Sequence, residues 1–195
     1  MGASPTGRGR RGRLLRDSGG VEVETEKEQE HREPVLECRQ MVPIPQPVAE
    51  FLAGHRIAVA GVSRAGNAPA NAIFRKLRDS GHEVIPVNPT AAAIEGVRCF
   101  PDLASVPDPI HGVMVVTHPA VSAAVARAAV GRGIKHVWFH RSFGTGSVSP
   151  EAVRECRALG VEPIVGGCPL MYCQPVDAGH RCFRWWLRLR HRVPG

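Results

Sequence analysis

A chain of 195 residues with 43% apolar content is long enough for one packed domain with extensions. It holds no run of 18 apolar residues, which excludes a membrane-spanning helix, and no apolar stretch of the kind that follows the arginines of a secretory signal. The net charge of +7 is uneven: residues 1–20 carry five arginines and one aspartate, residues 21–40 carry seven glutamates and three basic residues, and the two stretches cancel. Such a balance favours anionic ligands without choosing among them.

Six cysteines in unlike contexts do not form a disulfide framework, so a cytoplasmic location with reduced thiols is expected. Residues 1–40 have too few large apolar side chains to offset ordering entropy, and the composition predicts a disordered tail. Domain-like sequence begins at Met41, which is read as a candidate true start. Val48–Leu52 is a short helix candidate. Ile57–Val62 is an apolar run ending beside a glycine, as in a strand buried on both faces. Ala70–Ser80 places Ile73, Phe74 and Leu77 on one helical face, and Gly81 is a natural stop. Glu83–Val87 and Gly112–Val116 are the next strands.

Ala120–Arg132 follows as a helix whose predicted inner face is Val121, Ala124, Val125, Ala128 and Ala129. Lys135–Phe139 is a fourth strand. Ser149 caps a helix with Pro150 at its first position, running to Gly160. Val161–Val165 is a fifth strand that tolerates Pro163 only at a sheet edge. Alternating strands and helices predict a single α/β domain, a Rossmann-like doubly wound parallel sheet of about five strands, over residues 41–167. Residues 168–195 form an extension ending in an Arg/Trp-rich helix. There Phe183, Trp186, Leu187 and Arg190 recur at helical spacing, with Trp185 and Leu189 widening the apolar face.

The chemistry is expected where the strands end. In Gly61-Val62-Ser63-Arg64 a glycine turns the chain tightly, and the helix beginning near Ala70 aims free N–H groups into the crevice, the geometry of a diphosphate site. The bland reading is a turn glycine only. The dinucleotide fingerprint is not met, because Ser63 stands at its second glycine. Asn88 and Pro89 end the second strand, where NAD-binding domains carry an acid for the ribose hydroxyls.

Thr117, His118 and Pro119 open the following helix. His118 reads as a cap or ligand contact rather than a general base, since no carboxylate or nucleophile lies near it in sequence. Arg141 could pair with a phosphate or lie on the surface. Cys168, Cys173, His180 and Cys182 match no common zinc spacing, and no partner base accompanies Cys168, so neither a metal nor any catalytic residue is assigned.

The stretches Ile57–Arg64, Ile73–Leu77, Gly81–Pro89, Phe100–Leu103 and Gly133–Trp138 resemble the small stand-alone CoA-binding domain proteins, similar to the CoA-binding domain of the succinyl-CoA synthetase alpha subunit. Gly167-Cys-Pro-Leu-Met171 resembles one branch of that family, and the likeness covers about residues 43–190. It implies that Gly61, Val62, Ser63 and Arg64 line the phosphates. It implies also that Asn88 and Pro89 border the adenosine, and that Thr117, His118 and Pro119 flank the rest of the ligand.

The expected function is binding of coenzyme A or an acyl-CoA as a non-catalytic or regulatory module. An uncharged Asn88 tolerates the 3′-phosphate of CoA where an acid would repel it. The alternative is an NAD(P)-binding oxidoreductase-like protein. No nucleic acid or membrane partner is expected, and a homodimer is possible.

Overall fold

The computed structural model describes residues 43–194. The expectations for the tail at residues 1–40 and for Met41 lie outside these described residues. Helix α1 (Gln46–Ala53) leads into strand β1 (Arg56–Ala60), helix α2 (Pro69–Asp79) and strand β2 (Glu83–Val87). Two short strands, β3 (Ala93–Ile94) and β4 (Val97–Arg98), precede β5 (Gly112–Val115). Then come α3 (Pro119–Gly131), β6 (His136–Phe139), α4 (Pro150–Ala158), β7 (Ile164–Val165), a 3-10 turn (Pro169–Met171) and α5 (Ala178–Leu189).

Strands β2-β1-β5-β6-β7 form one sheet in that order, every pair parallel. Successive side chains on a strand point to opposite faces, and the two cores follow that period. Ile57, Val59, Met114 and Trp138 face α1, α2 and α5, where Phe51, Phe74, Tyr172 and Leu187 complete the packing. Ala58, Ala60, Val113, Val115, Val137 and Phe139 face α3 and α4. The parallel doubly covered sheet is the expected fold.

Where the structure departs from the sequence reading, the reasons are local. The inner face of α3 is Ser122, Ala123, Ala126 and Ala129, with Val125 packed at its edge; the expectation holds for Val125 and Ala129 but not for Ala124, Ala128 or Val121, which is 49% exposed. Alanines recur all round this helix, so hydrophobicity does not single out one face. On α5, Leu187 is fully buried and Phe183 and Trp186 pack at the edge, but Trp185 and Leu189 are 64% and 63% exposed. At about 100° per residue these two point away from Leu187 and do not widen its face.

The strand expected at Val161–Val165 shrinks to the two residues after Pro163 and lies at the sheet edge, as a missing N–H requires. The hairpin β3–β4 was not foreseen. Its two-residue turn holds Glu95 and Gly96 at φ 48° and 80°. Such turns usually begin with Asn, Asp or Gly.

Candidate functional site

The register levels the strand ends: Ala60 pairs with Val87 on one side and Val115 on the other. Residues 61–64, 88–89 and 117–119 therefore share one rim, at the carboxyl ends of β2, β1 and β5. Helices from β1 and β5 pack on opposite faces, which opens the crevice that doubly wound sheets use for ligands.

Gly61 has φ 103° and donates its N–H to Val87 O at 3.2 Å. A Cβ there would run into the backbone carbonyl of Val116. Close approach of two strand ends, as well as the positive φ, thus reserves the position for glycine. Val62 is buried beneath the turn. Ser63 is held from below by Asn71, fully buried in the first turn of α2. Asn71 Oδ1 accepts from Ser63 N at 2.8 Å, and its Nδ2 donates to Ser63 O at 2.9 Å.

The Ser63 hydroxyl accepts from Ala65 N at 3.2 Å, and Gly66 N closes the turn onto Ser63 O. Arg64 is exposed and joins no hydrogen bond or ion pair among the described residues. Ala68, the N-cap of α2, offers no side-chain cap, whereas α3, α4 and α5 are capped by His118, Ser149 and Asp177. Pro69 has no N–H and Asn71 N donates to Ala68 O at 2.9 Å, so this uncapped N-terminus leaves the Ala70 N–H and the positive dipole end at the crevice.

At the end of β2, Asn88 Nδ2 donates to Val62 O at 2.6 Å, and Oδ1 accepts from both Thr90 N and Thr90 Oγ1. The side chain thus ties the β1 turn to the β2 loop, a structural duty that composition does not reveal. Pro89 is exposed beside it. Sequence reasoning missed Asn71 and Glu95. Glu95 takes Arg75 Nη1 at 2.6 Å and lies 3.4 Å from Asn71 Nδ2, so the β3–β4 hairpin braces the helix that carries the turn. A polar residue inside the apolar stripe of α2 was the available signal for Asn71.

At the end of β5, the Thr117 hydroxyl meets buried Ser122 Oγ at 3.1 Å. His118 Nδ1 accepts from Ala120 N at 3.2 Å. Pro119 is the first residue of α3. The three build the helix start at the crevice wall, with His118 as its cap.

The rim continues to β6 and β7. His140 Nε2 lies 3.0 Å from Ser142 Oγ, and burial holds the imidazole below its ordinary range. Arg141 pairs through its backbone with Gly167. Burial pushes the Cys168 thiol up to about 12, so it stays neutral. Cys173 is buried too, Cys182 is exposed, and His180 Nδ1 sits 2.5 Å from Asp177. No helix among the described residues is long and apolar enough to cross a membrane.

Three comparisons bear on this rim. The uncharacterized protein YneT of Bacillus subtilis (strain 168) is 28% identical over 113 residues, 58% of this chain and 81% of that one. A conserved hypothetical protein from Pyrococcus furiosus is 33% identical with a TM-score of 0.51, covering 56% of this chain and 91% of its own. The dinucleotide-forming acetyl-coenzyme A synthetase 1 of Ca. Korarchaeum cryptofilum, solved with phosphate and ADP, is 26% identical with a TM-score of 0.50. The alignment covers 56% of this chain and 25% of that enzyme. The sequence model of the CoA binding domain family matches residues 55–174, across both the crevice and the β6–β7 rim, and the chain belongs to that family.

Proposed function

We propose that the protein binds coenzyme A or an acyl-CoA in the crevice at the carboxyl ends of β2, β1 and β5. The observation that carries this is the Gly61–Arg64 turn, clamped by Asn71 and set before a helix N-terminus without a cap. Gly61, Val62 and Ser63 line the phosphates, with the Val62 and Arg64 N–H groups left over once Gly61 N and Ser63 N are bonded within the protein, and Arg64 supplies an exposed permanent charge with no acidic neighbour paired to it among the described residues. Asn88 and Pro89 border the adenosine, and Thr117, His118 and Pro119 line the opposite wall. A phosphate-rich ligand suits these donors, since anions gain from both N–H groups and the helix dipole.

The protein acts as a non-catalytic or regulatory module in this reading. His118 already uses Nδ1 as a cap, and Cys168 is a buried neutral thiol, which disfavours attack on an acyl carbon. Calorimetry with CoA, dephospho-CoA, NAD and NADP side by side tests the proposal. CoA should bind tightest, and Arg64→Ala should weaken it by about 1–3 kcal/mol, the scale of a charge-assisted hydrogen bond. Tighter binding of NAD or NADP than of CoA would overturn it.

A further inference from the structure

We propose that Arg141 and Tyr172 form a second pocket on the same rim, a carboxylate subsite for the acyl end of a CoA thioester. The inference rests on the CoA reading above. Arg141 follows β6, which is two strands from β1 in the sheet, so it lies roughly 10 Å along the rim from the Gly61 turn at the usual strand spacing. With the phosphates at that turn, the thiol end of the ligand has β5 and β6 to run toward.

The pocket is marked by two buried donors that have nothing to donate to. Arg141 Nε is buried without a hydrogen-bond partner, and no ion pair among the described residues includes Arg141. Tyr172 is 2% exposed, and its hydroxyl is likewise buried and without a partner. Both border the same two-residue turn. Arg141 Nη2 lies 3.6 Å from where a Cβ of Gly166 would sit, and Tyr172 Oη lies 3.5 Å from that of Gly167. The two glycines have φ 91° and 70°, and a side chain on Gly166 would strike the Arg192 carbonyl. The turn therefore carries no side chain of its own, and the Arg192 carbonyl and Pro194 pack on it beside the guanidinium and the phenol.

A buried donor without an acceptor is destabilising, and two flanking one turn call for an acceptor between or beside them. The charge decides which kind. Arg141 is permanently cationic, His140 is held neutral by burial, and the Cys168 thiol is neutral. Arg184, 4.6 Å over the Tyr172 ring, and Arg188 add to the positive charge of Arg141, no ion pair among the described residues includes Arg141, and a planar guanidinium matches a carboxylate. An acyl chain ending in a carboxylate provides that group at the end of the ligand the phosphate turn leaves free.

The experiment is calorimetry of the full chain with CoA, acetyl-CoA, butyryl-CoA, malonyl-CoA, succinyl-CoA and glutaryl-CoA. At least one carboxyl-bearing thioester should bind about tenfold or more tighter than acetyl-CoA and butyryl-CoA, the scale of one hydrogen bond to a charged group. Arg141→Gln should erase that difference while leaving CoA and acetyl-CoA within about twofold. Tyr172→Phe removes only an oxygen that has no partner, so it should fold as the parent does and reduce the preference in part.

If the parent binds CoA but shows no preference for any carboxyl-bearing thioester, the subsite is overturned and the CoA reading stands. If Arg141→Gln weakens every ligand alike, the guanidinium serves the CoA moiety and the carboxylate assignment is wrong. If CoA itself does not bind, both readings fall. Should Arg141→Gln not fold, the parent comparison and Tyr172→Phe still decide the matter.

Discussion

Replacing Asn88 with aspartate changes one atom's chemistry and separates two roles at the crevice. In the parent, Nδ2 donates to Val62 O across 2.6 Å while Oδ1 takes two bonds from Thr90. Asn88→Asp keeps the Thr90 side but sets a carboxylate oxygen against the Val62 carbonyl. A lost hydrogen bond contributes about 1 kcal/mol, and a partly buried carbonyl left facing like charge adds about 1–2 kcal/mol. The total of about 2–3 kcal/mol corresponds to a melting temperature about 5–10 °C lower for a domain of this size.

The sign with pH follows from the same contact. The folded state disfavours the ionised acid, so its folded pKa lies above the unfolded one. The penalty is full above the folded pKa and shrinks as pH falls toward the unfolded value of about 4, where the protonated acid donates to Val62 O. Ligand binding isolates the second role. CoA should lose about five- to tenfold more affinity than dephospho-CoA, because only CoA brings a 3′-phosphate to the new charge. Thermal melts across pH and paired calorimetry read both effects. An unchanged melting temperature would refute the Val62 tie, and equal losses for CoA and dephospho-CoA would refute the placement of the ribose phosphate.

Asn71→Ala removes the clamp on Ser63 and should destabilise the fold by about 2 kcal/mol and weaken CoA by tenfold or more, seen in urea melts and calorimetry. If the melt shifts while CoA affinity holds, the turn does not contact the phosphates. Leu187→Ala should lower stability by about 2–5 kcal/mol, whereas Trp185→Ala should stay within about 0.5 kcal/mol, since only the first is buried. Equal effects would show that α5 is rotated from the face described here. Cys168 should react with iodoacetamide far more slowly than exposed Cys182 in the native protein, by mass spectrometry of labelled peptides. Its folded pKa of about 12 is raised, so its contribution to stability should be lost as pH climbs from about 9 toward 12, an alkaline loss that Cys168→Ala reduces.

Sequence patterning served best where one physical requirement acts alone. Gly81 ends α2 because its positive φ closes the bonds from His82 to Leu77 and from Gly81 to Arg78. Pro163 marked a sheet edge because it lacks a donor. The α3 face is legible only in part, at Val125 and Ala129, because an alanine-rich helix has little amphipathic contrast. The hairpin at Glu95 was hidden because its left-handed conformation is supported by Arg75 and Asn71, which are distant in sequence. At the crevice, the rim and its strand ends were legible. The tasks of individual side chains were not, because the bonds of Asn88 to Val62 and of Asn71 to Ser63 join residues 26 and 8 positions apart.

The strand order has a consequence for how the chain assembles. β1 sits second from the sheet edge, yet its right-hand neighbour β5 begins at Gly112, opposite Ile57. The ring of Phe51 on α1 packs edge-on against Trp138 of β6, centroids 5.2 Å apart. During synthesis, α1 and β1 therefore emerge before the described residues of β5 and β6 that pack against them. Pairing them means closing loops of more than 50 residues, the slow kind of contact for a folding chain. Fragments cut before β6 should expose the face of α1 that packs on Trp138 and the open edge of β5, bind hydrophobic dyes and engage chaperones, whereas the chain gains cooperative resistance to proteases only once Trp138 is present.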